Sequence, residues 1–351
     1  MKALATIDSQ EANQTFLLPD EHAQIMAGDP RLATYTRGKR GLASLINQFR
    51  ALRKLSADKK PDVVVFHSTF SLLALALTRT LRLGKAKPRL IYIAHCWASE
   101  QYTGAKARLV RAIEGRLCGF ADVVVNISHN DLKIAQDNRF WGHHVLVENA
   151  VPDVSADVRD DLFASEPEAL HLLFIGRFDR QKGLDILMEA LPRVQERRPD
   201  LKLHVIGGAV RAGRAPDFPS GVDHVKWVAH DEVDQWYRSA DALVLASRWE
   251  GLPLVIPEAL RNGTPVVVSQ RSGMETLFEE GTEGFSYPLS VEALAERLAT
   301  LDRTQLRAMR PACRALYESR YSMSRLHAEI LRAYRGEAMD LSVPSGQRTL
   351  N

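Results

Sequence analysis

The run SRWEGLPLVIPEALRNGTPVVVS (247–269) sets two carboxylates, Glu250 and Glu258, eight residues apart around Pro253 and Pro257. Apolar, strand-like runs flank it. The pattern predicts a strand, a turn carrying Glu250, and a helix from about Val255 to Asn262 ended by Gly263. Pro257 suits a first helical turn, where its missing N–H costs no internal bond. Glu258 then lies on that turn, and the N–H groups of about Leu254 and Val255 point out of the helix start, a setting that attracts a diphosphate. Ionised carboxylates only accept hydrogen bonds, and the vicinal hydroxyls of a sugar can donate to them. A plainer role is equally open: Glu258 as a first-turn acid facing the helix dipole, Glu250 as a solvated loop charge.

A second constellation lies in FIGRFDRQKGLDILMEAL (174–191). A strand ends at Gly176, a short loop carries Arg177, Arg180 and Lys182, and Gly183 leads into a helix with Leu184, Leu187, Met188 and Leu191 on one side. A planar fork, a point charge and free backbone N–H groups suit a phosphate. Solvated surface cations would read the same way.

The elements that must position these groups are short β-branched runs, each followed by a helical pattern. They are 63–68, 90–95 and 123–128 in the first half, and 172–176, 201–208, 242–247 and 265–269 in the second. Near-continuous apolar strands alternating with helices predict parallel sheets covered on both faces. The polar, acidic stretch 151–170 between the two series reads as a linker. The expectation is two doubly wound domains facing a cleft, with ligands at the carboxyl ends of the strands. His67, Ser68, His95, Ser128 and the Gly176-Arg177 pair fall at such ends. For the histidines a capping or core role is the alternative.

With 351 residues, 45% hydrophobic and 25% charged, the chain has globular composition and a two-domain length. No apolar run is long enough for a bilayer, no secretory signal is read, and Cys96, Cys118 and Cys313 form no C-x-x-C pair. These features point to a cytoplasmic protein. The net charge of +3 is uneven: residues 1–150 carry 21 Lys and Arg against 13 Asp and Glu, a net of +8, leaving −5 for the remainder. With no zinc-finger spacing and no aromatic-studded basic sheet motif, nucleic acid is not the expected partner. An anionic membrane or a phosphorylated acceptor is preferred. Segment 35–60 concentrates the charge, with eight cations from Arg37 to Lys60 against Asp58 alone. Leu42, Leu45, Ile46, Phe49 and Leu52 share one helical side. It reads as an ordinary helix packed on the sheet, as a membrane-surface patch, or as both.

Together, GRFDRQKG, EGLPLVIPEAL, NGTPVVVSQRSGMETL and GTEGFSYP resemble the C-terminal half of glycosyltransferase family four, a retaining family with the GT-B fold. IEGRLCGFADVVVNISHND and VLVENAVP resemble segments of its first half, so the likeness covers about 60–335. It implies a donor-diphosphate pair in Arg177 and Lys182, sugar contact by Glu250 and ribose contact by Glu258, with His95 as the cleft histidine near the transferred sugar. Gly176, Gly207, Gly208 and Ala229 would lie around the base and diphosphate, with Gly251, Leu252, Leu254 and Val255 in the Glu250–Glu258 turn. The implied activity is metal-independent transfer, with no cofactor. A hexose would pass from a UDP- or GDP-sugar to a glycan or lipid-linked acceptor, with retention, in cell-surface polysaccharide or lipopolysaccharide synthesis.

The departure is at the start. The family opens with a strand and a Gly-Gly loop, whereas here no glycine precedes Gly28, so a shortened first domain is expected. The expected domains are 1–150 for the acceptor and 151–325 for the nucleotide sugar, with a helix at 326–340 packing back on the first domain and a disordered tail at 341–351. The expected location is cytoplasmic, peripheral on the inner face of the membrane through 37–60. A GT-B nucleotide-sugar 2-epimerase and a sugar-nucleotide-binding subunit that needs a partner are the alternatives.

Overall fold

The computed structural model describes residues 5–38, 41–81, 87–154, 158–209, 218–229 and 232–338. Lys39, Arg40, His230 and the segment 339–351 lie outside the described residues, as do the expectations that fall on them. The chain divides into two compact units, one built from residues up to Glu148 together with Leu326 onward, the other from Asn149–Arg325.

In the first unit, β1 (Phe16–Pro19) and β2 (Leu32–Tyr35) pair in parallel only with each other. Helix α1 (Leu42–Lys59) leads to β3 (Val63–His67), followed by α2 (Thr69–Leu81), β4 (Arg89–Ala94), α3 (Gly104–Cys118), β5 (Val123–Asn126), α4 (His129–Asp137) and β6 (His144–Leu146). Strands β3-β4-β5-β6 form one parallel sheet in sequence order. Residues 16–35 add no strand to it. Three of these strands coincide with the β-branched runs. The short β6 does not stand out from its polar neighbours.

The second unit contains β7 (Leu170–Arg177), α5 (Leu184–Arg197), β8 (Leu201–Gly208), β9 (Val222–Val225), α6 (Val233–Ser239), β10 (Ala242–Leu245), α7 (Val255–Arg261), β11 (Val266–Ser269), β12 (Gly284–Tyr287), α8 (Val291–Ala299) and α9 (Arg303–Leu316). Its six parallel strands run β12-β11-β10-β7-β8-β9. Strands β7, β10 and β11 are buried along almost their whole length, as helices on both faces require. The chain moves outward one way from β7 and the other way from β10. The loops leaving these neighbours therefore diverge, and a crevice opens between them.

Two sequence readings need correction. The acidic stretch 151–170 is more than a linker: Phe163 stacks on His171 and His204, with ring centroids 4.4 and 3.9 Å away. A single aromatic residue in a polar run is enough to pin it to the second unit. On α1, Leu52 is buried, but Leu42 is 73% exposed and Ile46 37%. The apolar side thus leaves the core toward the helix start.

The last helix, α10 (Met323–Arg335), carries the chain back to the first unit. There Arg89 Nε on β4 donates to the Ala333 carbonyl at 3.2 Å. Among the described residues no helix is long and apolar enough to cross a membrane.

Candidate active site

At the switch point of the second unit, β7 ends in Gly176-Arg177 and a turn brings Lys182 to the start of α5. Gly183 holds a left-handed conformation (φ +65°), and a Cβ there would lie 1.9 Å from the Ala246 carbonyl oxygen just beyond β10. Only glycine lets the two loops approach this closely. Arg248 N donates to Gln181 O at 2.8 Å, and the Arg248 guanidinium grips Asp185 at 2.9 and 2.6 Å. The loops after β7 and β10 are therefore fastened to one another.

That fastening brings the expected charges together. Lys182 Nζ lies 2.7 Å from Glu250 Oε1, with the side chains 12% and 7% exposed. Gln181 Nε2 donates to Glu250 Oε2 at 3.1 Å, and Arg177 donates to Gln181 Oε1 at 3.0 Å. Glu250 is thus a buried, paired carboxylate and no solvated loop charge. Lys182, placed by sequence in an open loop, is mostly buried too. Arg177 keeps 45% of its side-chain surface exposed and also pairs with Asp179 at 3.2 Å.

A cavity of about 360 Å³ opens beside this network, with Gly176, Arg177, Lys182, Leu254, Val255 and Glu258 on its wall. Ile175, Ile206, Trp227, Val228 and Val233 complete it. Glu258 stands on the first turn of α7 and accepts from the buried Tyr237 hydroxyl at 2.9 Å. Burial first, then Glu258, pushes the Tyr237 phenol well above its ordinary range, so it stays a donor. Gly207 and Gly208 end β8 in register with Gly176 and Arg177. At Gly207 (φ +147°) a Cβ would meet the Gly176 carbonyl oxygen at 1.9 Å.

Not every expected residue reaches the wall. Gly251 and Leu252 are buried in the turn, and Ala229 is exposed beside Val228; none lines the cavity. Glu250 acts on the site through Lys182 and Gln181, since it is not on the wall either. Trp227 escaped the sequence reading. It is 55% exposed on the wall, and its ring edge lies next to Gly208. A lone tryptophan after an exposed edge strand carries no periodic signal.

His95 belongs to the first unit, just beyond β4. Its Nε2 is 2.9 Å from His67 Nδ1, and the two rings stack at 24°. One proton serves that contact, so the two rings are not both charged. Burial, then His95, holds His67 well below the ordinary imidazole range. The following turn is fixed by buried Glu114, which accepts from Ala98 N, Ser99 N and Thr69 Oγ1 at 2.9, 3.1 and 3.1 Å. Trp97 Nε1 donates to the Asp131 carbonyl at 2.8 Å, and the Asp131 carboxylate takes the Ser128 hydroxyl at 2.8 Å. Burial pushes the Asp131 carboxyl up to about 7. Among the described residues no group of three or more His, Cys, Asp or Glu side chains is placed to hold a metal ion.

Two parallel α/β units, one opening at its switch point on a charged cavity, define the GT-B class of fold. The chain belongs to the glycosyltransferases: residues 169–303 match the glycosyl transferases group 1 family and residues 16–149 the glycosyl transferase 4-like domain. Solved structures agree on the fold. Sucrose-phosphate synthase from Thermosynechococcus elongatus superposes with a TM-score of 0.73 at 19% identity, covering 89% of this chain and 84% of that one. HepE of Anabaena in complex with UDP-glucose gives 0.70 at 18%, covering 87% and 86%. By sequence, the chain is 27% identical over 261 residues to an uncharacterised 41.2 kDa protein in the cps region of Klebsiella pneumoniae (71% of this chain, 72% of that one). It is 29% identical to a phosphatidyl-myo-inositol mannosyltransferase of Mycobacterium leprae over 56% of each chain. Against a D-inositol 3-phosphate glycosyltransferase of Arthrobacter it is 38% identical, over 32% of this chain and 30% of the relative.

Proposed function

We propose that the protein is a retaining glycosyltransferase that moves a hexose from a UDP- or GDP-sugar to a glycan or lipid-linked acceptor, in the synthesis of a cell-surface polysaccharide. One observation carries the reading: Arg177, Lys182 and Glu258 share the wall of one cavity at the switch point, with Glu250 paired behind Lys182. The cations suit the two phosphates of the donor, and Glu258 suits a ribose hydroxyl pair. When Lys182 turns to phosphate, Glu250 is released to accept from a sugar hydroxyl. The HepE structure holds UDP-glucose, and relatives include the cps-region protein and the phosphatidyl-myo-inositol mannosyltransferase, which favours a surface glycan or a lipid-linked acceptor.

The chemistry follows from charge. The C1–O bond to the β-phosphate breaks, and the departing diphosphate is met by Arg177 and Lys182. Removing a preorganised charge of this kind costs about 10²–10³ in rate. The acceptor hydroxyl attacks the same face as an oxocarbenium-like centre develops, and its proton passes to the leaving phosphate. His95 is the group proposed beside the transferred sugar. No metal or cofactor enters this scheme.

A panel of radiolabelled nucleotide sugars, incubated with and without membrane extract, tests it. Label entering lipid or polymer, with turnover surviving chelator, is the expected result. Conversion of the sugar nucleotide itself would point to an epimerase, and binding without either outcome to a partner-dependent subunit. Loss of turnover in chelator, restored by magnesium or manganese, would overturn metal independence.

A further inference from the structure

Helix α3 packs Leu117 against the core but keeps two of its large apolar residues outside. It buries Ala107, Glu114, Gly115 and Cys118 while leaving Leu109 62% exposed and Ile113 48% exposed. A surface helix of a globular protein turns its large apolar residues inward. Here the inward side is forced to be small, because a Cβ at Gly115 would lie 2.6 Å from the Phe140 ring. Lys106, Leu109, Ile113 and Arg116 follow one another at three- and four-residue steps, so they form a single exposed stripe. Tyr102 extends it, with Lys106 Nζ 3.9 Å from the centre of its ring. Arg108 is exposed alongside. Glu114 is the helix's sole acid and is buried on the opposite side.

The stripe is not isolated. Gln48 of α1 donates to Ser71 of α2 at 3.0 Å, and Thr69 of α2 donates to Glu114 of α3 at 3.1 Å. The three helices therefore lie side by side. On these neighbouring helices Leu42 and Ile46 of α1 and Leu73 of α2 are exposed, as are the cations Arg50, Arg53 and Lys54 of α1.

We propose that the exposed stripe of α3, from Tyr102 to Arg116, docks on an anionic lipid bilayer, with Leu109 and Ile113 entering the headgroup–acyl boundary. Charge complementarity selects this occupant. Long-stemmed cations flank the apolar pair with no exposed acid among them, so their stems can follow the acyl region while their heads reach lipid phosphates. Tyr102 suits the interface level. Helix α1, within the segment 37–60 expected to meet the membrane, adds exposed charge on a neighbouring helix. The purpose of docking rests on the transferase reading above, but vesicle binding requires no turnover, so the two fail separately.

Sedimentation of the full chain with phosphatidylcholine vesicles, alone and mixed with phosphatidylglycerol, tests it. At least tenfold tighter binding to the mixed vesicles is expected. Replacing both Leu109→Gln and Ile113→Gln should weaken that binding about tenfold, and Arg108→Gln with Arg116→Gln should remove the preference for anionic lipid. Thermal unfolding and hydrolysis of the sugar nucleotide should stay as in the parent chain, since none of these side chains touches the donor cavity. Three results would overturn the proposal: negligible binding to both vesicles, binding unaltered by the apolar pair, or a dimer in solution that the apolar substitutions dissociate.

Discussion

Lys182 and Glu250, 68 residues apart in sequence, form a 2.7 Å ion pair with both side chains largely buried. Two groups that the family resemblance assigns to different parts of one ligand thus hold each other. A ligand that takes Lys182 must also give Glu250 a donor, because a buried carboxylate left alone is costly. In the proposed scheme the diphosphate takes the lysine and a hydroxyl of the attached sugar donates to the carboxylate.

The first prediction separates charge from fold. Glu250→Gln keeps an acceptor oxygen for Lys182 but can no longer accept from Gln181 as well, so the protein should remain folded while transfer falls about 10²-fold. Lys182→Ala strands Glu250 and should also lower stability, by about 3 kcal/mol. Calorimetry beside a transfer assay reads both. Equal melting temperatures for the two variants would mean that the pair is dispensable to the fold.

A second prediction concerns Trp227, the flat, half-open ring on the cavity wall. Stacking of a base on an aromatic side chain is worth about 1–3 kcal/mol. Trp227→Ala should therefore weaken nucleoside diphosphate binding about tenfold or more, and binding to the parent chain should quench tryptophan emission. Glu258→Gln should weaken the nucleotide by a similar factor, through the ribose. Unchanged affinity in both variants would place the nucleoside elsewhere.

The His67–His95 contact gives a third. His67 touches His95 through the one proton they share, so it is a positioning residue. His67→Ala should cost on the order of 10–10² in kcat with nucleotide affinity unchanged, and His67→Gln, which can still accept, should recover part of the loss. If Ala and Gln variants are equally slow, the contact merely fills space.

The fourth is a pH effect. Folded Asp131 keeps its proton up to about pH 7, whereas an unfolded carboxyl releases it near pH 4. Its stabilising contribution is therefore full below about pH 4 and drains away as the pH rises toward 7. His67, depressed by burial, works in the opposite direction. The informative quantity is the difference between Asp131→Asn and the parent chain. The parent's unfolding midpoint should fall relative to the variant's as pH rises from 4 to 7. Parallel curves would refute the assignment.

The long apolar runs disclosed the parallel sheets, and with them the strand ends that carry Arg177, Lys182 and Glu258. Strands β1, β2, β6, β9 and β12 were not legible, since each has three or four residues and little hydrophobic signal of its own. Nor was the depth of Glu250. Burial of a turn depends on Gly183 meeting Ala246 across the sheet, a contact that local pattern does not encode. Helix α3 shows the same limit: which of its sides turns inward depends on Phe140, a residue far along the chain that meets Gly115.

The first unit is assembled from both ends of the described chain, closing with the Arg89–Ala333 hydrogen bond on α10. On a ribosome the consequence is one of order. The second unit is complete once Arg325 has emerged, while the unit made first still lacks its final helix. Arg89, at the head of β4, waits for its partner through the synthesis of everything between Glu148 and Leu326. A truncation before α10 would therefore cost the half of the protein that was translated first a contact, and leave the half translated second intact.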